Sequence, residues 1–215
     1  MLKAFLTTIG ILSLPVAATA QDWSGPYAGG SIGIGSGDLE VFDSDEYTAY
    51  GYARADGFMA AVSAKAGYNF QSGSLVYGPE LSFGVTTLAA SEEFDFCSPT
   101  TINNELQTLA MLRGRIGFAV DNVLIYGAAG AAVANGNFEA ACDTSYTDSV
   151  DQVTAFVAGF GAEIMYTDTI SLNFEYTAMR GDDKYVSASD SSDPEDKFGF
   201  NLDADIFTVG VSYHF

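Results

Sequence analysis

Phe58-Met59-Ala60-Ala61-Val62-Ser63-Ala64-Lys65-Ala66-Gly67-Tyr68-Asn69-Phe70 decides the fold. Its even positions are Phe58, Ala60, Val62, Ala64, Ala66, Tyr68 and Phe70. Its odd positions are Met59, Ala61, Ser63, Lys65, Gly67 and Asn69. A period of two is that of a β-strand with unlike faces. Gln71-Ser72-Gly73-Ser74 then reads as a turn. Beyond it Leu75, Tyr77, Leu81, Phe83 and Val85 share one face, with Glu80, Ser82 and Gly84 opposite.

The same pattern recurs along the chain. From Leu106, the apolar face is Leu106, Ala110, Leu112, Ile116, Phe118 and Val120, against Gln107, Arg113, Arg115 and Gly117. Asp121-Asn122 turns the chain into the apolar run 123–135. Phe156, Phe160, Ile164 and Tyr166 oppose Gly159, Gly161 and Glu163, and Thr167-Asp168 turns again. Leu172, Phe174 and Tyr176 oppose Ser171, Asn173 and Glu175. Phe207, Val209, Val211, Tyr213 and Phe215 oppose Thr208, Gly210, Ser212 and His214. With 26–36 as the first, these make eight strands.

The connections set the architecture. Short ones (71–74, 121–122, 167–168) alternate with long ones (37–56, 89–105, 136–152, 181–203). A transmembrane barrel has this alternation, with short periplasmic turns and long extracellular loops. The reading is therefore an all-β, eight-stranded antiparallel up-and-down barrel. Its apolar face meets lipid and its small and polar face turns inward. An even strand count puts both termini on the periplasmic side. A lipocalin-like soluble barrel would need the opposite faces, and its outer wall would be too apolar for water. Pro79 lacks a ladder donor, so a local bulge is expected there.

The first twenty residues read as an address. Lys3 starts a mostly apolar stretch that ends at Ala18-Thr19-Ala20, a small-x-small cleavage pattern. Residues 1–20 are therefore expected to be a signal peptide, and 21–215 the barrel domain. Export permits disulfides. Cys97 and Cys142 fall in the second and third loops, which leave the same end of the barrel, and are predicted to pair.

The chain carries 8 basic and 28 acidic residues in 215, a net charge of −20. That excess excludes nucleic acid as a partner, since phosphate affinity comes from Lys and Arg. Of the acids, 21 lie in the four loops, opposed by Arg54, Lys184 and Lys197. Neither Asp190, Asp193, Glu195 and Asp196 nor Asp43-Ser44-Asp45 has EF-hand spacing. Loose screening by divalent cations is the expected consequence.

Six charges remain on inward faces: Lys65, Glu80, Arg113, Arg115, Glu163 and Glu175. Each lies close to a short turn, so they share a layer. Buried charges must pair. The layer is read either as an ion-pair network that plugs the barrel or as a charged constriction that selects ions. Ser212 and His214 share the last strand's inward face like half of a catalytic pair, but no third orienting group is identifiable and His214 sits at the rim. A lipid-modifying enzyme would lose its activity on His214→Ala. None of the loops carries a histidine, so no metal or cofactor is expected.

These residues resemble a known family. Trp23-Ser24-Gly25-Pro26-Tyr27 with Gly29-Gly30-Ser31-Ile32-Gly33 is similar to the first strand of the porin-like outer-membrane β-barrel domain family, small surface antigens common in alphaproteobacteria. Arg113-Gly114-Arg115-Ile116-Gly117 with Leu124-Ile125-Tyr126-Gly127 resembles its central hairpin. Gly159-Phe160-Gly161-Ala162-Glu163 and Leu172-Asn173-Phe174-Glu175-Tyr176 resemble the next. Tyr213-His214-Phe215 looks like the aromatic-ended last strand that outer-membrane assembly machinery reads, with Phe215 as the signal. The resemblance implies roles in envelope integrity and surface interaction, with outer-membrane lipid, lipopolysaccharide and assembly machinery as partners. Hemin binding, described for some members, would need ligands that these His-free loops lack. A small passive pore is the alternative function. Trp23, Tyr68, Phe70, Tyr77, Phe118, Tyr126, Tyr166, Tyr213 and Phe215 are the expected interface girdle.

Overall fold

The structure is a computed structural model that describes residues 21–43, 53–90, 106–135, 153–182, 184–187 and 197–215. Its strands are β1 (Gly25–Asp43), β2 (Ala53–Ser72), β3 (Leu75–Ala90), β4 (Leu106–Val120), β5 (Val123–Asn135), β6 (Val153–Met165), β7 (Ile170–Gly181), β8 (Lys184–Ser187) and β9 (Lys197–His214). Each long strand pairs antiparallel with the next, and β1 pairs with β9 to close the ring. The barrel therefore has eight long strands. β8 is a four-residue strand that continues the line of β7 along β9. The register steps by one residue between Arg180↔Asp203 and Lys184↔Phe200, as at a β-bulge.

The ladder outruns the expected loop boundaries. Pairing continues through Val41↔Ala53 and Asp43↔Phe198, positions that sequence alternation left in the loops 37–56 and 181–203. Backbone hydrogen bonds need no apolar face, so strands extend past the stretch where a lipid-facing pattern is required. Cys97, Cys142 and the third loop, 136–152, lie outside the described residues.

Tight turns close the other end. Gly73 has φ +62° and Asp121 φ +52°, the left-handed conformation that glycine and aspartate tolerate best. Pro79 makes no bulge. The register is the same at Gly67↔Glu80 and Phe70↔Tyr77, on either side of it. The missing donor only interrupts the ladder, and Gly78 lets the Tyr68 carbonyl approach where a Cβ would collide.

The outer wall is apolar and exposed, with Ile32, Val62, Leu81, Phe83, Leu112, Ile116, Phe160 and Phe174 among its side chains. Such a wall suits hydrocarbon, not water. Seven of the nine proposed girdle aromatics do face outward. Trp23 and Tyr126 do not; they are buried inside the barrel. Trp23 precedes the first strand and folds across the turn end. Tyr126 lies on β5, where Leu124, Ala128 and Ala132 face inward and Ile125, Ala129 and Ala131 outward. Both faces of that strand are apolar, so alternation could not assign them.

The interior is layered. At the turn end Trp23, Val76, Ala119, Leu124, Tyr126 and Met165 form one apolar cluster. At the loop end Met59, Leu109, Val157, Met179 and Ile206 anchor a second, with Met111 packed against it. The charged residues lie between them.

Candidate functional site

Lys65 comes from β2, Glu80 from β3, Arg113 and Arg115 from β4, Glu163 from β6 and Glu175 from β7. All six are buried, as the period-two reading required, and they form one connected layer. Two residues apart on a strand, Arg113 and Arg115 point into the same lumen.

Arg113 bridges two carboxylates. It bonds Glu80, its direct cross-strand neighbour, and its Nη1 donates to Glu175 Oε1 at 2.5 Å across the lumen. Tyr126 donates its hydroxyl to Glu175 Oε2 at 2.8 Å, and Thr177 donates to Oε1 at 2.8 Å. Tyr27 donates to Glu80 Oε2 at 2.8 Å. Arg115 Nη2 donates to Glu163 Oε2 at 2.7 Å, and its guanidinium lies over the rings of Tyr126 at 4.1 Å and Tyr27 at 5.2 Å. Lys65 Nζ and Arg115 Nη1 each lie 3.7 Å from Glu80 Oε2. Three cations meet three carboxylates, so the layer is neutral.

Glycines make room for the tyrosines. A Cβ on Gly67 would collide with the Tyr27 ring, and one on Gly161 would lie 2.8 Å from the Tyr126 hydroxyl. Each tyrosine thus lies flat across a neighbouring strand and delivers its hydroxyl to a carboxylate.

His214 is part of this layer and not an incidental rim residue. Its Nε2 lies 3.0 Å from Ser171 Oγ and 3.2 Å from Glu163 Oε1. Its ring stacks on Tyr27 and meets Trp23 edge-on. Ser171 donates its proton to Glu163 Oε1 at 2.5 Å, so it can only accept from His214. Nε2 therefore carries the hydrogen. A nitrogen that donates to the serine is not placed to take its proton, and the acid meets the same nitrogen instead of Nδ1. Ser212 instead accepts from Asn173 at 3.2 Å.

The sequence reading omitted Tyr27, Ser171 and Thr177 from this layer and left His214 at its edge. Tyr27 shares the parity of Gly29, Ser31 and Gly33, the small face of β1, and that parity was the available signal. Ser171 reaches Glu163 diagonally across the β6–β7 hairpin, and His214 on β9 reaches the same carboxylate past β7, so the period of any one strand announced neither link. The bonds that fix Trp23 at the turn end were equally hidden. Trp23 N donates to Gln71 Oε1 at 2.6 Å, Gln71 Nε2 reaches the carbonyl oxygens of Gln21 and Gly73, and Gln21 N bonds Asp121 O at 3.0 Å. These bonds hold the indole across the mouth.

Residues 4–215 match the family described as outer membrane protein beta-barrel domain. The chain belongs to that family. Membership places this barrel in a Gram-negative outer membrane, in agreement with its apolar wall. The barrel is similar to a 22 kDa outer membrane protein of Rhizobium leguminosarum bv. viciae, 31% identical over 157 residues. That match takes in 73% of this chain and 64% of the relative, so the chain spans less than two thirds of that protein's length. Among solved structures it aligns with Ail, the attachment invasion locus protein of Yersinia pestis, at 18% identity and TM-score 0.43, covering 89% of this chain and 99% of that one. It also aligns with Neisserial surface protein A at 12% identity and TM-score 0.43, covering 86% and 97%. The outer membrane protease OmpT of Escherichia coli aligns at 11% identity and TM-score 0.49, covering 89% and 97%.

Proposed function

We propose that this protein is a closed, non-enzymatic outer-membrane barrel that supports envelope integrity and meets the surroundings through its acidic loops. The layered interior carries this reading. A charged constriction conducts only if water reaches it from both sides. Here an apolar cluster around Trp23 covers the turn end and a second, around Met59, Leu109, Met179 and Ile206, covers the loop end. The charges between them are spent on one another.

The non-enzymatic reading is supported by the bonds of His214, whose nitrogen donates to Ser171. In this reading the short turns and both termini face the periplasm, and the acidic loops face outward among lipopolysaccharide and its screening divalent cations. Phe215, 74% exposed on the outer wall, is available to the assembly machinery.

The test is single-channel conductance of the refolded barrel in a planar bilayer, with insertion verified by a heat-modifiable gel shift. The expected result is a silent membrane. Steady, discrete openings that change with Arg113→Ala or Glu163→Gln would overturn the closed barrel in favour of the small pore.

A further inference from the structure

The charged layer is neutral as a whole but not in its direct bonds. Three carboxylates hydrogen-bond to only two arginines, because Arg113 serves both Glu80 and Glu175 while Arg115 serves Glu163. Lys65 supplies the missing positive charge. Its Nζ nevertheless stands 3.7 Å from Glu80 Oε2, beyond hydrogen-bond length, and that oxygen already accepts from Tyr27. A buried ammonium has three protons to place.

A cavity of about 50 Å³ adjoins it, between the charged layer and the loop-end apolar cluster. Lys65, Arg113, Ser82, Ser31, Ser63 and Thr86 are among the residues that line it. Ser82 Oγ and Arg113 Nε are buried without a hydrogen-bond partner. Ser31 and Ser63 share one bond of 2.7 Å, which leaves lone pairs and a proton to spare. An unpaired buried polar group is costly, so two of them beside the Lys65 ammonium at one cavity call for an occupant.

We propose that this cavity is a water-binding site, holding a cluster that links Lys65 Nζ to Ser82 Oγ and Arg113 Nε. A water needs roughly 10–15 Å³ of such volume and two to four polar partners, so about three to five fit. The lining selects water by its chemistry. It offers charged donors on one side and hydroxyls that both donate and accept on the other. An anion would leave the neutral layer with a net negative charge, and a cation would face Lys65 and Arg113, since Glu175, the carboxylate that also lines the cavity, already accepts from Arg113, Tyr126 and Thr177. The cluster lets Lys65 balance the layer without touching a carboxylate. It concerns what fills the barrel and is independent of what the loops meet.

The test is a crystal structure of the refolded barrel, collected as grown, after a bromide soak and under xenon pressure. Ordered waters are expected within about 2.7–3.2 Å of Lys65 Nζ, Ser82 Oγ and Arg113 Nε. Ser82→Ala should lose the water at that corner and keep those on Lys65. Xenon in the cavity would show it dry, and a bromide peak would make it an anion site. A Lys65 bonded directly to Glu80 beside a collapsed cavity would remove the need for water. Any of the three overturns the proposal.

Discussion

Arg115→Met should destabilise the barrel by about 3–5 kcal/mol, the cost of removing one partner from a buried ion pair. The structure places that cost. Glu163 is fully buried, and its only charged hydrogen-bond donor among the described residues is Arg115 at 2.7 Å, apart from His214 when protonated. Methionine keeps most of the stem's packing between Tyr27 and Tyr126 but abandons the carboxylate to Ser171 and His214. At about 1.4 kcal/mol per factor of ten, the unfolding equilibrium should shift by roughly two to nearly four orders of magnitude. Glu163→Gln alone strands Arg115 with Glu80 at 3.7 Å. The double variant strands neither group. The cycle should therefore show a coupling of about 2 kcal/mol or more, with the double variant much less damaged than the sum of the singles. The assay is urea unfolding of the barrel refolded in lipid vesicles. Its probe is the fluorescence of Trp23, the one tryptophan in the chain, with gel mobility as a second reading. Coupling below about 0.5 kcal/mol is what independent sites give, and would refute the pairing.

Four further outcomes follow from the geometry. Gly161→Ala puts a Cβ 2.6 Å from the Phe174 carbonyl oxygen and 2.8 Å from the Tyr126 hydroxyl, and should cost about 1–3 kcal/mol in the same titration. Gly114→Ala meets no atom within 4 Å and should stay within about 0.5 kcal/mol. Trp23→Ala removes the turn-end stopper and should cost about 3–5 kcal/mol by gel mobility, while wild-type emission should be blue-shifted and shielded from acrylamide; ready quenching would put the indole outside. Phe215→Ala keeps the backbone bond to Pro26 and should leave unfolding in vesicles within about 0.5 kcal/mol while lowering the amount assembled in cells; unchanged assembly would remove its role as a signal.

The legible part of the fold is the part governed by local period. Phe58, Val62, Tyr68 and Phe70 are exposed while Met59, Lys65 and Asn69 are buried, as alternation alone dictates. The six inward charges were legible for the same reason, each standing on a small or polar face opposite an apolar one. Where both faces are apolar, as on β5, the period carries no information, and Tyr126 was placed on the wrong side. Where a residue precedes its strand, as Trp23 does, no period applies at all.

Alternation of faces and of short and long connections is written residue by residue, so the sequence by itself determined an eight-stranded barrel with a lipid-facing wall and a charged lumen. It did not determine who meets whom inside. Arg113 finds Glu175 on β7 and Arg115 finds Glu163 on β6, partners separated by 62 and 48 residues. Those meetings depend on the stagger at which β1 closes on β9, Tyr27 against His214, because that stagger sets the height of every side chain in the lumen. Only the closed ring therefore decided that the charges neutralise one another and that Trp23 and the methionines pack on either side of them.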